Sequence, residues 1–427
     1  MSSMDEFRRK VVDSIDEQEL IQLILDLCNI KSPYLFEKDA GDFVYEWMKK
    51  EGFAPRRIGM KDRFNVIGTL KGSGTGKNIL FSSHLDTGGP RDRDDDLWMC
   101  AADNIDNPYW HEASLTDGRF FGQGVDNDKG PMACFLIAAK ALKKAGVPLK
   151  GDVYLTACPG EMGQEPVSEY QGAEYISKDI GAEFMMIHGG IMADFGISAE
   201  GTDFGVSWVE AGKAFFKITV HGSSMYTPVM RTSKDLLTHE NPIMKCGPLL
   251  EALNEYALEF EKKYTVNLPG GTVIPRIQVG AIRGGLPYFI IGGTEVCELY
   301  LDIRILPGMT PGFIYRDLKK ITDDMGIKAD IELFLFRQGY EADNDAIAPY
   351  VSQLNTAHRY VFGEDVKMST PGFSSMWRDH NIFNEYGVPS LTYGPSRYCP
   401  TVEDMMNCTK AYALTALEVA MQERQEN

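Results

Sequence analysis

Apolar residues recur every three to four positions over 16–28, 39–51 and 131–145, the spacing of a single buried helical face. They run in short unbroken blocks over 65–70, 78–83, 152–157 and 195–199, as strands do when covered on both sides. Pro131 falls in the first turn of its helix, where a missing N–H costs nothing. Strands separated by helices predict an α/β domain, a mixed and mostly parallel sheet sandwiched by helices. Ligands bind at the carboxyl ends of such strands. The stretch 89–120 is long and turn-rich for a connection, and is expected to act as a lid. From Lys213 the period changes. Strands at 213–220, 272–281, 295–305 and 327–336, with helices at 243–264 and 310–324, give β-α-β-β-α-β, a ferredoxin-like α+β arrangement. The expected organisation is a catalytic domain in two segments, 1–212 and 339–427, with a lid and dimerisation domain inserted at 213–338.

Charge narrows the function. The chain of 427 residues carries 43 Lys+Arg against 61 Asp+Glu, a net −18, so nucleic acid and anionic membranes are excluded as main partners. The first 19 residues are charged and polar, with no export signal, and no run reaches the roughly 18 apolar residues of a membrane span. The eight cysteines stand singly, without a CxxC pair, which argues against a disulfide framework or a structural zinc site. A cytoplasmic enzyme is expected.

Four strand ends carry residues that suit a metal. Phe81-Ser-Ser-His84-Leu-Asp86 places an imidazole and a carboxylate just beyond a buried strand; one can bind a metal while the other orients it. Gly122-Gln-Gly-Val-Asp126-Asn-Asp128-Lys-Gly130 puts acids in a glycine-rich turn that opens a helix, where Asp126 serves equally as a helix cap. Pro159-Gly-Glu161 and Asp194-Phe-Gly-Ile-Ser-Ala-Glu200-Gly-Thr202 complete the set. Singly, each is an ordinary surface carboxylate. Together and in this order they point to a site.

In that order the segments resemble the aminoacylase and carboxypeptidase-G family of metallopeptidases, over nearly the whole chain. The resemblance implies a zinc-peptidase fold with an inserted lid, and a metal held by His84, Asp126 and Glu200, with Asp86 orienting His84. Departures from the family pattern are as informative. Where relatives have two adjacent Glu residues, this chain has Gly160-Glu161, and where they have a late His it has Tyr398-Cys399-Pro-Thr. The second metal of the family would lose its own ligands. One divalent transition metal per chain (Mn, Zn, Co or Fe) is therefore expected, with Glu161 as general base. The alternative makes Glu161 a ligand of a second metal, helped by Cys399; His380 is a further possible ligand. Where relatives carry a lid His that polarises the scissile carbonyl, this chain has Tyr226. A phenol stabilises an oxyanion less well than an imidazolium. Phe373 and Trp377 can wall an aromatic substrate and Arg378 can hold its carboxylate; alternatively the aromatics are core and Arg378 pairs with Asp379.

The water-activating half of the site is thus kept and the carbonyl-polarising half altered. That combination is similar to a branch of the family which replaces an aromatic amine by hydroxide, converting 5-nitroanthranilate into 5-nitrosalicylate and ammonia. The expected activity is such a metal-dependent aminohydrolase, with a small aromatic carboxylate as substrate. The alternatives are a peptidase or N-acyl amino-acid deacylase with an atypical metal site, and a binding protein on a decayed scaffold. By resemblance the chain is expected to form a homodimer or larger even assembly.

Overall fold

The computed structural model describes residues 3–88, 112–163, 165–167, 170–172 and 175–424. It divides into two compact units. The first comprises Met1–Trp208, Glu341–Thr370 and Arg378–Asn427; the second comprises Val209–Tyr340 and Pro371–Trp377. Of the expected lid, 89–111 lie outside the described residues, and the remainder holds a small hairpin of Ser114–Thr116 with Arg119–Phe121.

The first unit is built on a six-stranded sheet in the order Arg56–Gly59, Phe64–Leu70, Val153–Cys158, Ile79–His84, Phe195–Ser198, Ser390–Thr392. The first two pairings are antiparallel and the rest parallel. Ile79–His84 is buried along its whole length, as its unbroken apolar run requires. The helix Lys129–Lys144 is buried nearly all round, and both Glu17–Cys28 and Val402–Ala420 pack on it. Phe81 from the central strand lies 5.8 Å from the Phe135 ring and 5.4 Å from that of Tyr412, so sheet and helices close on one core. Local signals fix the helix starts. Asp16 accepts from the Glu19 N–H, and Thr401 and Asp404 form a reciprocal capping box.

The second unit is an antiparallel sheet in the order Ile277–Gly284, Val296–Ile305, Gly212–His221, Ala329–Arg337. Gly212–His221 and Val296–Ile305 alternate buried and half-buried positions. Their inner residues, such as Phe216, Ile218, Leu299 and Leu301, share a core with Leu249 and Leu253 of the helix Pro242–Tyr264 and Ile314 and Leu318 of Pro311–Asp324. The strand expected over 272–281 is divided. Gly271–Val273 folds back on Val266–Leu268, and a separate strand starts at Ile277. Pro275, which has no N–H to give a ladder, stands between them. Among the described residues no helix is long and apolar enough to cross a membrane.

Candidate functional site

Three neighbouring parallel strands, Val153–Cys158, Ile79–His84 and Phe195–Ser198, end on the same edge of the first unit's sheet. The segments that follow them carry Glu161, Asp86 and Glu200, and His84 is itself the last residue of the central strand. His84 Nδ1 donates to the Asp86 backbone carbonyl at 2.7 Å. In the neutral ring this bond places the proton on Nδ1 and leaves Nε2 a lone pair for a cation. Around Nε2 stand Asp128 Oδ2 at 3.1 Å, Asn127 Oδ1 at 3.2 Å and Glu161 Oε2 at 3.8 Å.

Asp86 works mainly on its neighbour. Its two carboxylate oxygens accept the Glu161 and Met162 N–H groups at 3.0 and 2.7 Å, so it pins the turn that presents Glu161, while Oδ1 stays 3.6 Å from His84 Nδ1. The sequence assigns the orientation of His84 to this side chain; the structure assigns it to the Asp86 main chain.

A buried lysine that the sequence did not single out meets the same turn. Lys178, 2% exposed, donates through Nζ to the Glu161 carboxylate and to its backbone carbonyl. Its segment is tied down on both sides. Ser177 Oγ donates to the Gly160 carbonyl at 2.6 Å, Arg63 donates to the Ile176 carbonyl at 2.7 Å, and Asn65 donates to the Ile180 carbonyl at 2.8 Å. Gly160 has φ 77°, and a Cβ there would lie 2.4 Å from the Ser177 carbonyl oxygen. The glycine that replaces an expected acid is therefore what lets the lysine segment approach. Arg63 in turn is paired with Glu37 in the interior, Nη2 to Oε1 at 2.8 Å. Arg63→Ala should lower stability by about 3–5 kcal/mol in a denaturant titration, because it leaves Glu37 buried without its partner.

Asp379 completes the acidic surroundings, another residue not foreseen. It is buried, and burial followed by the charge of Glu161 raises its carboxyl to about 7, with Lys178 and His84 opposing. Burial and then Glu200 push the Asp128 carboxyl well up as well. Burial works to lower His84, but Asp128, Asp86 and Glu161 outweigh it and hold the imidazole above its ordinary range.

Several expected placements change. Asp126 does not face His84: its Oδ2 accepts the Tyr398 N–H at 3.1 Å, and the carboxylate brought to the imidazole is Asp128, two residues on. Arg378 is 1% exposed and its Nε donates to Glu200 Oε2 at 2.6 Å. Arg378 is therefore a buried partner of Glu200, and not an open clamp for a substrate carboxylate. Ser198 Oγ donates to the other Glu200 oxygen at 3.3 Å. Trp377 belongs to the second unit and is buried, its Nε1 donating to the Gln338 carbonyl at 3.3 Å. Tyr226, also of the second unit, is 57% exposed. Cys399 is half-buried with φ 54°, and its carbonyl accepts from Arg119 at 3.2 Å.

His380 is fully buried, its Nδ1 2.5 Å from Thr392 Oγ1 and its Nε2 without a hydrogen-bond partner. Burial and then the Arg378 charge push it down to about 3, so it is neutral in the fold. Its folded value lies below the unfolded one of about 6.5, so the stability it contributes is full above that pH and fades as pH falls toward 3. The thermal midpoint of the wild type should therefore drop more steeply between these limits than that of His380→Gln.

Among the described residues no three His, Cys, Asp or Glu side chains close on one point as a finished cage. Glu161 is turned toward Lys178 and Glu200 toward Arg378. The donor chemistry nevertheless fits a divalent cation at one place. Both Asp128 oxygens are buried and accept no hydrogen bond, beside an imidazole nitrogen held in its ligating tautomer. His84 and Asp128 can hold such an ion, with the Asn127 amide oxygen, Glu161 and Glu200 as further oxygen donors nearby. The arrangement can bind a cation and place a carboxylate base beside it.

The family model described as peptidase family M20/M25/M40 matches residues 80–418. The N-formyl-4-amino-5-aminomethyl-2-methylpyrimidine deformylase of Bacillus subtilis (strain 168) is 22% identical over 407 residues, covering 89% of this chain and 87% of its own. Among solved structures, the dipeptidase Dug1p from Saccharomyces cerevisiae superposes with a TM-score of 0.69 at 12% identity over 98% of both chains. The Bacillus subtilis YXEP protein, a dinuclear metal-binding peptidase, superposes with a TM-score of 0.58 at 13% identity, covering 94% of this chain and 98% of its own. These structures share the fold of the chain, an α/β sheet flanked by helices.

Proposed function

The chain belongs to peptidase family M20/M25/M40 and is a metal-dependent hydrolase of C–N bonds, and from that premise we propose that it deaminates 5-nitroanthranilate hydrolytically, on one divalent ion per chain. The observation that carries this reading is the Lys178–Glu161 ion pair beside Asp128, whose two buried oxygens accept no hydrogen bond. One carboxylate is left for a metal and another is already neutralised by an ammonium group. Mn²⁺, Co²⁺, Fe²⁺ or Zn²⁺ suits the nitrogen and oxygen donors.

His84 and Asp128 would hold the divalent ion, which when bound would lower the pKa of water enough to make it a nucleophile near neutral pH. Glu161, with one oxygen held by Lys178 and the other turned toward His84, is placed to take the proton of that water. The water oxygen adds to the ring carbon that bears the amino group, and the nitro group para to it holds the electron pair. Glu161 then returns the proton to the amine, the C–N bond breaks, and ammonia leaves as the ring recovers its aromaticity. Asp86 keeps Glu161 in place through two N–H groups, and Arg378 holds Glu200.

A second reading, hydrolysis of an N-formyl or N-acyl amide, is favoured by the likeness to a deformylase over 89% of this chain and 87% of the relative. The two separate on product analysis. Metal-loaded protein should release ammonia from 5-nitroanthranilate and leave N-formyl aminomethylpyrimidines and N-acyl amino acids intact; rapid deacylation without ammonia release would establish the second reading instead.

A further inference from the structure

Among the described residues, four acids gather at the strand ends of the first unit. Asp128, Glu161, Glu200 and Asp379 stand within electrostatic reach of one another, and Glu161 and Asp128 both approach the same imidazole nitrogen. Two fixed cations answer them, Arg378 on Glu200 and Lys178 on Glu161. Lys178 is no chance surface partner. Ser177, Arg63 and Asn65 hold its segment by three hydrogen bonds, and Gly160 is shaped to receive it. Its charge also bears on Asp379.

We infer that Lys178 is a resident counter-cation that takes the place of a second divalent ion at Glu161 and so limits the site to one metal. A fixed ammonium does this in two ways. It occupies the Glu161 oxygen that a second ion would need, and its like charge repels any divalent ion brought close to it. It also keeps Glu161 oriented, with Oε2 turned toward His84 Nε2 at 3.8 Å. The inference rests on the one-metal reading above and adds the residue responsible for it.

Manganese titration followed by electron paramagnetic resonance tests it, because two Mn²⁺ ions a few ångström apart couple and one does not. The wild type should take up one Mn²⁺ per chain with an uncoupled six-line spectrum, and Lys178→Arg should do the same. Lys178→Met, which keeps much of the shape and removes the charge, should take up two and show a spin-coupled spectrum. Lys178→Gln, which retains a donor for the Glu161 carbonyl, carries the same expectation should Lys178→Met fail to fold. A single uncoupled ion in the charge-removing variants would overturn the role of Lys178 and leave the one-metal reading standing. A coupled pair in the wild type would overturn both.

Discussion

Asp128→Asn should cost the protein its divalent ion and with it essentially all turnover, whereas Asp126→Asn should leave metal binding within about 10–100-fold of the wild type, the range of a supporting residue. The two positions lie in one glycine-rich turn, and their environments differ. Asp128 is buried beside His84 Nε2 with both oxygens lacking hydrogen bonds, a state whose cost is recovered when a cation fills the gap. Asp126 accepts the Tyr398 N–H, and an amide oxygen can accept the same bond. Equilibrium dialysis with Mn²⁺ or Zn²⁺ reads the difference directly. Equal loss of metal in both variants, or loss in Asp126→Asn alone, would return the ligand to Asp126.

Glu161→Gln should lower kcat by about 10²–10⁴-fold, the usual worth of a positioned base, while the metal content stays near that of the wild type. The amide keeps an oxygen for the Lys178 ammonium and an N–H that satisfies no proton-transfer role. Asp86 holds residue 161 through main-chain groups, so the turn itself survives the substitution. Loss of kcat with unchanged metal identifies the base; parallel loss of both would make Glu161 a ligand.

Why some of this was legible in the sequence and some was not has physical reasons. His84 could be placed because an unbroken apolar run must be an interior strand, and a polar residue at its end must open on the ligand edge. The insertion of an α+β unit showed in the change of period after Lys213 and in the alternating strands that follow. The choice between Asp126 and Asp128 did not show, since both are buried in a turn whose backbone path, not its composition, decides which acid meets His84. Lys178 was missed because its segment has no periodicity; the weak signal available was a lysine set between Ile176 and Ile180. Arg378 was read as open to substrate because its true partner, Glu200, lies far away in sequence and is brought near only by the sheet.

In the proposed reaction water replaces an amine on a ring. Turnover of 5-nitroanthranilate in ¹⁸O-labelled water, with the product analysed by mass spectrometry, tests it most directly. One ¹⁸O should appear in the phenolic oxygen of 5-nitrosalicylate, with one ammonia released per label incorporated. No labelled phenol from the metal-loaded protein, with ¹⁸O appearing instead in the formate or carboxylate released from an N-formyl or N-acyl substrate, would contradict it.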